Sequence, residues 1–212
     1  MADNKRDMMI LQAWFSPAFP TGAFSYSHGV ETAIQDGLIT DGQSLQSWIA
    51  TLLRHGSGRT DLLFIKAAYE GEQEANALCL ALCASKERLQ ETTELGQAFS
   101  RVANTSYQTD LPDGLAYPVA VGLAARAEDL DLTLTLQGYL QAFAANLISV
   151  GVRAIPIGQQ AGQHCLVGLY PVIEEVSEDA AEASLDEVGS AALLSDVMAM
   201  KHETSSPRIY RT

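Results

Sequence analysis

Apolar residues recur along most of this chain with a helical period and almost nowhere with the period of two that a strand requires. Leu45, Trp48, Ile49, Leu52 and Leu53 fall at i, i+3, i+4, i+7 and i+8, one stripe along a helix, with Asp41 or Ser44 placed to cap its start. Gly56-Ser57-Gly58 ends that helix, and Thr60-Asp61 is the expected start of the next, Leu62 to Glu70, which Gly71 closes. Residues 73–84 are rich in Ala and Leu, and residues 86–106 carry Leu89, Leu95, Phe99 and Val102 as their expected inner face. Leu111-Pro112-Asp113-Gly114 breaks the pattern. Further helices are expected over 115–127, about 133–151, 158–176 and 185–200, and the only strand-like alternation, Leu130–Leu136, has no partner run at hairpin distance. The fold expected is all-α: a single globular bundle of roughly eight to ten helices over residues 1–201, with an extended C-terminal tail over 202–212.

Charge narrows the function. The 13 Lys and Arg against 26 Asp and Glu give a net charge of −13, which argues against nucleic acid or anionic lipid as a partner. Seven of those acids lie in one run, Glu174–Glu187, read as a solvated loop or helix face. The tail, counted from Lys201, has three bases against Glu203 and is locally positive. No 20-residue apolar span suits a membrane, and Met1–Asp7 lacks the apolar stretch of a signal peptide. Three cysteines imply no disulfide framework, so a reducing, cytoplasmic setting is expected. Cys79 and Cys83, four apart on an Ala/Leu-rich helix, read as core.

Several chemistries lack their motifs. No glycine loop precedes any of the four lysines, so the chain itself has no phosphate cradle of that kind. There is no H-E-x-x-H, no paired C-x-x-C and no G-x-S-x-G. His28 and Glu31, three apart, would share a helix face and are the one acid–base pair available to a small helical metal-dependent enzyme. A helical scaffold is the other alternative class.

Three stretches are too distinctive for ordinary core. Ser16-Pro17-Ala18-Phe19-Pro20-Thr21-Gly22-Ala23-Phe24-Ser25-Tyr26-Ser27-His28-Gly29-Val30-Glu31 sets two prolines and a glycine into a turn, with Ser25 or Ser27 placed to cap the helix that follows. Its aromatic and polar side chains suit either a packed corner or a partner surface. Ile155–Gln163 has small residues at 158 and 162 that permit close helix approach, and glutamines 159, 160 and 163 suited to a polar interior. Met198–Thr212 ends in Arg208-Ile209-Tyr210-Arg211, an apolar and aromatic anchor between two guanidinium forks.

These motifs, with Leu52-Leu53-Arg54-His55 and Tyr117-Pro118-Val119-Ala120, make the chain resemble the UreF family of urease accessory proteins over essentially its whole length. Lys201, Ile209 and Tyr210 stand where the family commonly has Arg, Leu and Phe, and Ser205-Ser206-Pro207 replaces its usual spacer. The resemblance implies an all-α protein without catalytic activity, which binds UreD (also called UreH). The pair recruits and regulates the GTPase UreG, and the assembly delivers nickel to the urease apoprotein, whose active-site lysine is carbamylated. It implies a homodimer at the centre of that complex and a tail that orders when UreD binds. GTP would then belong to UreG, and nickel would be in transit, with no cofactor held stably. On this basis Phe19, Phe24, Tyr26, His28 and Glu31 are the expected partner-facing cluster, joined by His202, Glu203, Arg208 and Tyr210. Arg208 is expected to anchor the tail, with Tyr26 a plausible recipient. His28 and His202 are the first candidates for metal contact.

Overall fold

The computed structural model describes residues 3–107 and 109–211, and the described residues form an all-α protein. Ten α-helices follow in order: α1 (Asp3–Trp14), α2 (Val30–Gln35), α3 (Gly42–His55), α4 (Ser57–Glu70), α5 (Ala75–Ala81), α6 (Lys86–Ser106), α7 (Tyr117–Ala127), α8 (Leu132–Ala154), α9 (Gly158–Glu182) and α10 (Leu193–His202). Single 3-10 turns lie at Ala23–Ser25 and Leu185–Glu187. No helix among the described residues is long and apolar enough to cross a membrane. Thr212, the last residue of the expected tail, lies outside the described residues.

The helix α4 is the hub. Leu62, Leu63, Phe64 and Ile65 are consecutive and all buried, so this helix is surrounded rather than half-solvated. It packs against α3, α5, α7, α8 and α9. Two glycines allow the closest approaches. A Cβ on Gly122 of α7 would lie 2.2 Å from the Ile65 carbonyl oxygen, and one on Gly96 of α6 would lie 2.0 Å from that of Leu115. Gly162 plays the expected role between α9 and α8, where a Cβ would meet Val152 at 2.7 Å.

The Asp41 cap forms as expected: its carboxylate accepts from Ser44 N at 2.8 Å, and the Ser44 hydroxyl accepts from Asp41 N at 3.0 Å. Other expectations need correction. Helix α4 starts at Ser57, directly after Gly56 (φ −125°, ψ −148°), which ends α3, and no side chain caps it. Asp61 is therefore a buried mid-helix residue rather than part of a helix start. Ser25 does not cap α2, and the cap position is Gly29 at φ 76°, where a Cβ would press on α10 at Ala199 N, 2.9 Å away; Ser27, two residues earlier, reaches the first turn, its hydroxyl accepting from Glu31 N at 3.4 Å. Gln159, Gln160 and Gln163 face outward, so they line no interior. The expected helix over 185–200 is two elements. Ala191 N and Ala192 N both donate to the free carbonyl of His55 at the end of α3, at 2.7 and 3.1 Å, and this holds the chain extended just before α10. The acidic run is largely the last turns of α9, where Glu175 pairs with Arg54 and Asp179 with Arg59.

Candidate functional site

Ser85 starts the element that organises the site. Its hydroxyl accepts from Arg88 N at 3.0 Å and caps α6. Along α6 the buried row Ala103, Phe99 and Leu95 continues backward in steps of four to Glu91 and Glu87, both buried as well. Glu94, one turn on from Glu91, borders the same face. Glu87, Glu91 and Glu94 thus front the first motif and the tail, and each takes at least one partner far away in sequence.

Glu87 receives His202 Nδ1 at 2.8 Å and the Arg208 guanidinium. Glu31, from α2, faces the other side of the same imidazole, with its Oε2 at 3.1 Å from Nε2. Both contacts are hydrogen bonds when both ring nitrogens donate, since a carboxylate only accepts. Glu31 also accepts two successive backbone N–H groups, from Ile209 at 2.8 Å and Tyr210 at 2.9 Å. Glu94 accepts from Tyr26 Oη and from Arg211, both at 2.8 Å. The Arg211 N–H donates to the Ser25 carbonyl at 2.8 Å, and Arg153 lies over the Tyr210 ring at 5.1 Å.

A second network lies deeper. Arg88 places one guanidinium nitrogen at 2.8 and 2.7 Å from the two oxygens of Asp61, which also accepts from Tyr139 Oη at 2.7 Å. Arg88 approaches Glu91 at 3.3 Å, and Glu91 meets His28 Nε2 at 2.9 Å. Burial alone would raise the Glu91 carboxyl, but the charges and hydrogen bonds of His28 and Arg88 outweigh it and hold Glu91 below its ordinary range. Burial lowers the tendency of Arg88 to hold its proton, and Asp61 and Glu91 more than reverse that. Burial first and the Glu94 contact second push the Tyr26 phenol up to about 12, so it remains a donor. His28 sits at φ 49°, a left-handed conformation that aims its ring inward, edge-on to Phe143. Two cavities, of about 70 and 240 Å³, meet at His28, Asp61, Arg88 and Glu91.

The structure thus brings Tyr26, His28, Glu31, His202, Arg208 and Tyr210 of the expected cluster to one region. Glu203 joins at its edge, accepting from Lys86 N at 2.8 Å. Phe19 instead packs in the core's aromatic group, 5.4 Å from Phe99, and Phe24 stands 60% exposed. The expected partners differ in detail. Arg211, rather than Arg208, neighbours Tyr26 across Glu94. His28 and Glu31 do not form an acid–base pair: His28 precedes α2 and bonds Glu91, whereas Glu31 bonds His202. Both imidazoles are engaged by carboxylates, and among the described residues no group of three or more His, Cys, Asp or Glu is placed to hold a metal. Sequence reasoning missed Asp61, Glu87, Arg88, Glu91 and Glu94. The signal for two of them was the apolar row on α6, which lands on Glu91 and Glu87 when carried back by fours.

Residues 39–170 match a family model for UreF. A protein of Cereibacter sphaeroides described as "Urease accessory protein UreF" is 45% identical over 209 residues, covering 98% of this chain and 99% of the relative. A second, from another strain of that species, is 48% identical over 207 residues, or 97% of this chain and 98% of the relative. One from Ruegeria pomeroyi with the same description is 42% identical over 214 residues, 99% of this chain and 98% of the relative.

Proposed function

The chain belongs to the UreF family of urease accessory proteins, and from that premise we propose that it is a non-catalytic assembly protein for nickel insertion into urease. In this reading it binds UreD (UreH), and the pair recruits UreG and regulates its GTP hydrolysis. The assembly, built on a homodimer of this chain in the cytoplasm, loads the urease apoprotein. GTP is bound by UreG, because this sequence has no glycine-rich phosphate loop. Nickel is cargo, passed on rather than kept.

The observation that carries the reading is similarity along nearly the full chain to proteins with one shared description, tail included. The tail's geometry supports a docking role. Arg208, Tyr210 and Arg211 are fastened inward by side-chain contacts, while Ile209 between them is 81% exposed, an apolar anchor on a held backbone. Phe24 stands out from the Ala23–Ser25 turn to which Arg211 is bonded. Ile209 and Phe24 are the proposed first contacts for UreD. The test is urease maturation from purified apoprotein, nickel, bicarbonate, GTP, UreD and UreG, with and without this chain. Activation that needs this chain, and co-purification with UreD and UreG, is the expected result. Full activation without it would overturn the proposal.

A further inference from the structure

The larger of the two cavities has no part in the assembly role proposed above. It measures about 240 Å³, and the rings of Trp14, Phe15, Phe19, Tyr117, Tyr139 and Phe143 line it. Phe15, Tyr139 and Tyr117 make one continuous wall, with successive ring centroids 5.9 and 5.5 Å apart. Pro17 and Phe24, both exposed, border it as well, so the cavity reaches the surface at the first motif.

Its buried end is charged. Asp61 is fully engaged there by Arg88 and by Tyr139 Oη. Glu91 is not. It is 3% exposed, and its Oε1 meets His28 Nε2 at 2.9 Å. Its Oε2 accepts no hydrogen bond from a described residue: Arg88 Nη1 stands 3.3 Å away but off the line of a bond. A buried carboxylate oxygen without a donor is costly, and the cavity beside it is the space in which a donor can stand.

The same groups select the donor. Among the described side chains that line the cavity, two are carboxylates, and Arg88 is the one lysine or arginine, already committed to Asp61. An anion would face both carboxylates with no free cation to hold it. A hydrocarbon would leave Oε2 unmet. A metal ion would lack ligands, since no group of three or more His, Cys, Asp or Glu among the described residues is placed to hold one. A positive donor on an apolar body answers every term: its charge is drawn to the carboxylate and to the ring faces, and its body fills the space between the rings.

We propose that this cavity binds a small organic ammonium ion, whose N–H donates to Glu91 Oε2 while its apolar body lies against the aromatic wall. The probe is benzylammonium chloride, compared with toluene and with benzoate on the isolated full-length protein. Binding is read from the Trp14 indole N–H resonance and from Tm. Benzylammonium is expected to shift that resonance saturably with a Kd on the order of 0.1 mM, within reach of a ligand of about eight heavy atoms. Tm should rise as the site fills. Toluene should bind about 10- to 100-fold more weakly, the range for losing a hydrogen bond to a charged group, and benzoate should not bind. Glu91→Gln should weaken benzylammonium by the same factor and leave toluene unchanged. Ala142→Phe, which puts a ring into the cavity from α8 and keeps every charged group, should abolish binding of both. If Glu91→Gln does not fold, the ligand series on wild type and Ala142→Phe decide. Toluene binding as tightly as benzylammonium would overturn the ammonium class. Benzylammonium binding that survives Ala142→Phe, or no saturable shift at Trp14 in wild type, would overturn the site. UreD and UreG are absent from every arm, so a negative result leaves the assembly function standing.

Discussion

Arg88 is the residue on which the buried chemistry turns. It is the cation between Asp61 and Glu91, and Tyr139 and His28 complete the set. Arg88→Ala is expected to cost about 3–5 kcal/mol in urea unfolding, since it strands two buried carboxylates. Arg88→Met, which leaves the same carboxylates uncompensated but fills the space, should cost nearly as much; a much milder effect would mean that packing rather than charge sets the loss. Glu91 adds a pH dependence whose sign is fixed by its direction. Its folded carboxyl lies below the ordinary 4.5, so its contribution is present at higher pH and is lost as pH falls through that lowered value. Stability measured from pH 7 down to pH 3 should fall more shallowly at the acid end in Glu91→Gln than in wild type. At this scale the sequence was only half legible. Tyr26, His28, Glu31, His202 and Arg208 stand out through unusual local motifs, and Glu91 shows only when the apolar row of α6 is carried back to it. Asp61 sits in a helix whose charged residues ordinarily face water, and only the packing around α4 reveals it as buried.

Elements whose own residues decide their ends were the readable ones. The stripe on α3 and its Asp41 cap are local, and both form. α10 was misread because its start is decided elsewhere, by the His55 carbonyl taking two N–H groups from the extended approach. Its pattern also misleads, since Leu193, Leu194, Val197 and Met200 face solvent while Ser195, Met198 and the site residue His202 face in. The start of α6 is the more consequential end, because the Ser85 cap fixes the turn that carries Glu87 and Arg88. Ser85→Ala is expected to cost about 1 kcal/mol, the usual effect of losing such a cap. Faster amide exchange should be confined to the first turn of α6 and the tail that Glu87 holds. Gly96→Ala is a harsher test of the same element. With its new methyl only 2.0 Å from the Leu115 oxygen, α6 must move off the start of α7, at a cost of about 1–3 kcal/mol or more in thermal or urea unfolding.

For the whole molecule, the charge of −13 and the fastened basic tail oppose one another in their response to salt. The surplus acids repel over long distances, whereas the tail is held by contacts of about hydrogen-bond length. The Debye length falls from about 30 Å at 0.01 M salt to about 10 Å at 0.1 M and about 3 Å at 1 M. The first step screens the repulsion and hardly touches the contact pairs, so Tm is expected to rise between 0.01 and 0.1 M. The second step reaches the pairs themselves. Arg208 and Arg211 have side chains 44% and 62% exposed, so ions compete for them, whereas His202 is wholly buried between Glu31 and Glu87. Between 0.1 and 1 M the amides of Ile209 and Tyr210 should therefore lose part of their protection while those of α4 keep theirs. Calorimetry and exchange on one salt series test both steps. A Tm that falls from the lowest salt upward, in parallel with tail protection, would mean that the ion pairs outweigh the repulsion at every distance. A rise in Tm followed by selective loosening of the tail would show that the acidic body costs the fold stability and, through three of its glutamates, also holds the tail in place.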